Sequence, residues 1–346
     1  MQRPTLKKLG KRALQIGLPL LILVLFINQV QKNWQDLTSH SFQWNPWLLA
    51  LAFLGFALQE LSFGLIWKLV LARLGSQLDL RASLRIYLAS EFVRYIPGNV
   101  WHVLTRILWV GKYGVSRPVA FASMTIELIT KLAAGVLIFA VSLVFWQNLG
   151  AVGTLLHGSL VIVLGVGIIF ALLVGLHPSI LNGLINLALR LLKRDPVVLT
   201  LRYSDILLVT LAWCASWLVA GVAFYLLVLA LWPGTPLVAL PICIGIYALA
   251  WDIGFVSFIT PSGLGFREGA IVGLFALSLM SLPTGLGYII ALLSRLVSTL
   301  AELVCVSIAY LSGGQQVREL GVKKDTNEIS DEPSTGLTVE EGVGSE

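Results

Sequence analysis

Apolar residues run along this chain in blocks of about twenty, the length a helix needs to cross a hydrocarbon core of about 30 Å. The blocks are Ala13–Val30, Pro46–Val70, Pro118–Trp146, Ala151–Leu176, Asp205–Leu231, Leu237–Ile259, Gly265–Ser281 and Gly285–Leu311. They predict an all-α polytopic integral membrane protein of about eight transmembrane helices. Two stretches carry a break. Arg81–Lys112 is apolar but interrupted at Pro97-Gly98, and its limbs, Ala82–Ile96 and Asn99–Val110, are each too short to cross. A re-entrant helical hairpin fits, since irregular backbone at membrane depth is tolerated inside protein or beside a water-filled cavity. The alternative is an amphipathic helix on the cytoplasmic surface. Leu237–Ser281 is broken similarly at Pro261-Ser262-Gly263-Leu264-Gly265, giving two full spans or a second hairpin entered from the other side. With two hairpins the halves would form an inverted repeat, a common plan of secondary transporters.

Charge orients these spans. Arg3, Lys7, Lys8, Lys11 and Arg12 precede the first, while Arg73, Arg81 and Arg85 follow the second. Arg190, Lys193, Arg194 and Arg202 follow the fourth, and Arg318, Lys323 and Lys324 the last. Connections on the opposite side, such as Gln147-Asn148 and Leu282-Pro283-Thr284, are uncharged. The positive-inside rule then places both termini in the cytoplasm. No small-residue cleavage site follows Asn28–Lys32, so the first span reads as an uncleaved anchor. Residues 1–312 form the membrane body and 313–346 a disordered acidic cytoplasmic tail. A cell (plasma or inner) membrane location is expected.

Composition sharpens this picture. Of 346 residues, 57% are hydrophobic and 12% charged, where about a quarter charged is usual for soluble domains. The net charge of +6 suggests nucleic acid, but Ser312–Glu346 holds 3 bases against 8 acids, leaving 21 bases against 10 acids in the body. Basic loops and an acidic tail account for it, and no nucleic-acid partner is expected. Cys214, Cys243 and Cys305 lie within apolar spans and imply no disulfide framework.

Six of the body's ten acids lie in apolar segments: Glu60, Glu91, Glu127, Asp252, Glu268 and Glu302. Arg94, Arg106, Lys131, Arg267 and Arg295 accompany them. Six acids facing lipid at the midplane would cost about 15–21 kcal/mol on the insertion scale, so they are expected to face inward. Glu127 and Lys131 are spaced i,i+4, and Arg295 and Glu302 i,i+7, each pair on one helix face. Glu91 and Arg94 precede the first break; Arg267 and Glu268 follow the second. Each break ends in a helix N-terminus, at Asn99 and near Phe266, where free N–H groups attract an anion. Pro97, Gly98, Gly263 and Gly265 allow close approach to the backbone, and Arg94, Arg106, Arg267 and Arg295 offer forked donors suited to phosphate. Glu91, Glu127, Lys131, Asp252, Glu268 and Glu302 complete a polar network. Internal salt bridges that merely fix helix packing are the competing reading.

No nucleotide, metal or nucleophile motif is present, so neither cofactor nor metal is expected, and enzymatic activity is not the favoured reading. Pro261-Ser262-Gly263 and Ser294-Arg295 echo the integral-membrane lipid phosphatases, but Leu264 and Ala301 stand near the places of the histidines that family needs. Glu91-Phe-Val-Arg94-Tyr95-Ile-Pro97-Gly98, followed by Arg106, Gly114 and Glu127, resembles the first signature of the lysylphosphatidylglycerol synthase transmembrane family. Pro261-Ser-Gly263-Leu-Gly265-Phe-Arg267-Glu268 is similar to its second signature. The resemblance covers roughly residues 10–312 and implies a flippase-like domain without the soluble synthase domain of bifunctional members. It implies translocation of an anionic, aminoacylated or glycosylated phospholipid. Partners would be a membrane phospholipid or lipid-linked sugar, with a lipid or glycan synthase as a further partner. The alternatives are a membrane-embedded transferase with Glu91, Asp252 or Glu268 as base, and a non-transporting subunit of such a synthase.

Overall fold

A computed structural model describes residues 28, 31, 44–91, 101–146, 158–191, 201–257, 263–278 and 284–311. These residues are helical throughout, with short turns and no strand among them. In chain order the helices are α1 (Pro46–Arg73), α2 (Leu80–Glu91), α3 (Trp101–Gly111), α4 (Arg117–Ser142), α5 (Gly158–Gly175), α6 (Pro178–Leu191), α7 (Tyr203–Leu231), α8 (Ala239–Val256), α9 (Phe266–Leu277) and α10 (Thr284–Leu311). Five are long and apolar enough to cross a membrane: α1, α4 with its 3-10 extension to Phe145, α7, α8 and α10. A sixth crossing is available if α5 and α6, bent by 67° at the Leu176-His177 break, act as one span.

Local chemistry sets the helix ends. Asn45 caps α1, its side chain accepting from the N–H groups of Trp47 at 3.1 Å and Leu48 at 3.3 Å, with Pro46 at the first helical position. The same helix ends at Gly75, φ +81°. There the Ser76 N–H reaches the Leu71 carbonyl at 2.9 Å and the Gly75 N–H the Ala72 carbonyl at 3.1 Å, the paired bonds of a Schellman stop. Arg73 at that end pairs with Asp205 in the first turn of α7 at 2.8 Å. At the other end the Asn45 N–H donates to Ala230 O at 3.2 Å, so α1 and α7 lie antiparallel along their full lengths.

Close approach of backbones builds the core. Gly221 of α7 meets Ile244 of α8, and a Cβ there would stand 2.5 Å from the Ile244 Cα. Gly245 of α8 receives Ser142 of α4, and Gly135 of α4 receives Asp252 of α8, so these two helices also run antiparallel. Small residues at helix contacts are the usual membrane solution, because lipid supplies no hydrophobic drive between helices. Trp67, Trp213, Trp217, Phe56, Phe224 and Tyr247 fill the interior. The outer surface is apolar. Leu51, Leu54, Leu58 and Leu65 are exposed along α1, as are Leu296, Leu300, Val304 and Ile308 along α10. Apolar outside and charged inside is the arrangement a lipid solvent dictates.

One expected span is revised. The described part of Gly265–Ser281 holds α9, 12 residues, about 18 Å at the helical rise, too short to cross. Within Ala151–Leu176 the described residues, from Gly158, are helical to Gly175, and the chain then turns into α6. The broken segment Arg81–Lys112 yields two short helices, α2 of 12 and α3 of 11 residues, packed on each other. The first span, the Pro97-Gly98 break and the tail 313–346 lie outside the described residues.

Candidate functional site

Arg106, expected to bind substrate, meets Glu91 and Glu127 of the expected polar network on the α2–α3–α4 side of the bundle. Arg106 of α3 is 1% exposed. Its Nη1 donates to Glu127 of α4 at 2.8 Å, its Nη2 to Glu91 of α2, and its Nε to the Ser90 hydroxyl at 2.9 Å. The guanidinium also lies 3.8 Å above the centre of the Tyr87 ring, and the Tyr87 hydroxyl donates to the other Glu127 oxygen at 2.7 Å. One cation thus ties together the two short helices and a long one. Both carboxylates are buried, which requires the pairing and hydrogen bonding they receive.

A second group forms where α8, α9 and α10 meet. Gly265, φ +87°, opens α9. Glu268, in the first turn, accepts from the Gly265 N–H at 2.6 Å, occupying an N–H that the helix leaves open. Its other oxygen accepts from Arg295 of α10 at 2.8 Å. Arg267 is handled differently. It projects over the Tyr247 ring, 4.8 Å from the centre, and its Nε and Nη2 are buried without a hydrogen-bond partner. Those two nitrogens form one edge of the guanidinium fork. Gly254 makes this placement possible, since a Cβ on it would come within 2.9 Å of the Arg267 Cβ. Gly263, φ +66°, lies against the Gly254 backbone, where any side chain would overlap it.

Between the two groups lies a cavity of about 220 Å³. Glu91, Arg106 and Glu127 line one side, and Gly254, Gly263 and Arg267 another. Tyr87, His102, Val103, Met124, Leu128, Lys131, Trp251 and Phe255 complete the wall. Lys131 is 5% exposed. Its ammonium is surrounded by aromatic faces, 3.5 Å from the centre of Phe63, 4.3 Å from Trp251 and 5.0 Å from Trp213. Asp252, next to Trp251, is buried against Gly135 with neither carboxylate oxygen hydrogen-bonded. Glu60 and Glu302 are buried on α1 and α10, each close to the Cys305 thiol.

Of the expected site residues, Arg106, Gly263 and Arg267 line the cavity, with Glu91, Glu127 and Lys131 from the polar network. Gly265, Glu268 and Arg295 stand behind Arg267. Arg94, Pro97, Gly98 and Asn99 lie outside the described residues. Tyr87, Phe63, Trp213, Trp251 and Gly254 were not singled out by sequence. Tyr87 alone had a readable signal, one turn before Glu91 on the same helix face.

A family model described as the lysylphosphatidylglycerol synthase TM region matches residues 13–305. The chain belongs to that family. The match takes in both breaks and every charged residue of the site. Membership and the apolar helices together make this a multi-pass membrane protein tied to lipid handling. A comparison with curated proteins finds no match.

Proposed function

We propose that this protein is a lipid translocator, moving an anionic or lipid-linked phospholipid, aminoacylated or glycosylated, between the leaflets of the cell membrane. The observation that carries the reading is the pair of buried, unpartnered guanidinium nitrogens of Arg267, a residue that lines a cavity walled by buried charge. A guanidinium edge left open in a buried site is suited to a bidentate oxyanion such as a phosphodiester. Gly254 and Gly263 let the second break pack directly on α8, which seats Arg267 at the cavity wall.

The cavity, at about 220 Å³, is smaller than the roughly 300–1,000 Å³ of pockets that enclose whole drug-sized ligands. It accommodates a head group while acyl chains stay in lipid along the apolar exterior. The remaining charges act on the protein. Arg106 holds α2, α3 and α4 together through Glu91 and Glu127, and Arg295 with Glu268 fixes the start of α9 and so the position of Arg267. In this reading the α2–α3 pair is a re-entrant hairpin and α8–α9 a second broken element. The first apolar block and the α5–α6 pair add two crossings to the long helices, and with α8–α9 as one element that returns the chain to its starting side the plan stays N-in, C-in.

Mass spectrometry of lipid retained after gentle purification tests the substrate assignment. Wild-type protein is expected to carry a phosphate-bearing lipid that is depleted in Arg267→Ala. Retention of the same lipids in both proteins would remove Arg267 from the binding site. A chemically modified lipid product would favour the transferase alternative.

A further inference from the structure

Asp252 and Lys131 stand out because translocation by phosphate binding does not use them. Asp252 is 5% exposed, and neither oxygen of its carboxyl group has a hydrogen-bond partner. Space around it is closed by Gly135 of α4, where even a Cβ would lie 2.8 Å from the carboxyl carbon. An ionised carboxylate so placed loses hydration and receives no hydrogen bond in return, so its burial is costly unless a proton or the Lys131 charge offsets it. Lys131 lies one turn before Gly135 on the same helix. Its ammonium is held by the ring faces of Phe63, Trp213 and Trp251, and Trp251 directly precedes Asp252.

We propose that Asp252 is a proton-binding site and that its protonation decides where the Lys131 ammonium sits. With the carboxyl protonated, the ammonium rests in the aromatic cage, as observed, and the pair carries a charge of one positive unit. Loss of the proton to water in the cavity, which Lys131 and Trp251 line, leaves a carboxylate and a neutral pair. The low-dielectric attraction between carboxylate and ammonium then outweighs the cation–π contacts and draws Lys131 toward Asp252. Two discrete positions of one side chain, biased by one proton, make a switch at the cavity wall.

The charged groups on elements packed against α8 bear on this titration. α4 presents Lys131 and Glu127, the latter already paired with Arg106. α9 presents Arg267 and Glu268, the latter paired with Arg295. α7 presents Trp213 and Trp217 on this side and carries the Cys214 thiol and Tyr225, α1 brings the buried Glu60 with Phe56 stacked on Tyr247, and α8 itself carries Cys243 and Tyr247. If the translocation reading holds, the proton is the coupling ion, since the positive state favours an anionic head group at Arg267. The proton site itself does not depend on that reading.

Infrared difference spectroscopy of the full-length protein in lipid nanodiscs, titrated from neutral to alkaline pH, tests it without any lipid substrate. The expected result is a carbonyl band of a protonated carboxyl at neutral pH that moves with isotope-labelled aspartate and disappears on alkalinisation. The labelled wild type needs no substitution, and Asp252→Asn then assigns the band by removing it. Tryptophan fluorescence is expected to change with the same midpoint in the wild type and to stay flat in Asp252→Asn. Absence of an aspartic carbonyl band at neutral pH, or its persistence in Asp252→Asn, would overturn the proton site. A band that titrates with no change in fluorescence would overturn the movement of Lys131.

Discussion

Arg267 and Arg106 are both arginines in an apolar setting, and their surroundings give them opposite tasks. Arg106 is enclosed by two carboxylates, a hydroxyl and an aromatic face. Its removal would leave Glu91 and Glu127 buried without their cation, a change that costs about 3–5 kcal/mol. Arg106→Ala is therefore expected to lower the thermal unfolding midpoint in detergent strongly, and an unchanged midpoint would mean the triad does not hold these helices. Arg267 keeps two nitrogens of its fork without a partner, so Arg267→Ala should fold normally yet lose transport by about 10- to 100-fold, the worth of hydrogen bonds to a charged group. Arg267→Lys is expected to recover little of that loss, because an ammonium cannot reproduce the fork. Equal activity in the lysine variant would show that charge alone is needed. Spacing gave the members of this site but not their pairings. The adjacent Arg267 and Glu268 diverge, one to the cavity and one to Arg295 and the Gly265 N–H. Glu127 and Lys131 share a helix face, yet one joins Arg106 and the other enters an aromatic cage supplied by α1, α7 and α8. Such choices depend on neighbouring helices, whose register no single segment encodes.

At the scale of elements, hydropathy located α1, α4, α7, α8 and α10 closely, because each is a continuous apolar run long enough to cross. It overestimated Gly265–Ser281, where the helix begins after the left-handed Gly265 and ends at Leu277. Composition there is as apolar as in a span, so length is set by the breaks and not by hydrophobicity. Glycines at crossings make the packing testable. Gly221→Ala places a methyl against Ile244, and such overpacking costs about 1–3 kcal/mol. Gly167→Ala in α5 meets nothing within 4 Å and gains helix propensity of about 1 kcal/mol. Thermal unfolding should therefore fall by several degrees in the first variant and hold or rise in the second. The reverse order would contradict the close contact of α7 and α8.

Among the described residues, apolar side chains cover the outside and buried charges line and flank a cavity, with short helices on both sides of it. A lipid can use both features at once, with head group inside and chains outside. The most direct measurement is leaflet exchange of a fluorescent, chain-labelled anionic phospholipid in proteoliposomes, read by quenching from the outside. Wild-type protein is expected to raise the quenchable fraction from the outer-leaflet share toward the whole, while Arg267→Ala at equal incorporation stays near protein-free vesicles. Wild-type vesicles that remain at the outer-leaflet share with phospholipid and with lipid-linked sugar alike would contradict translocation.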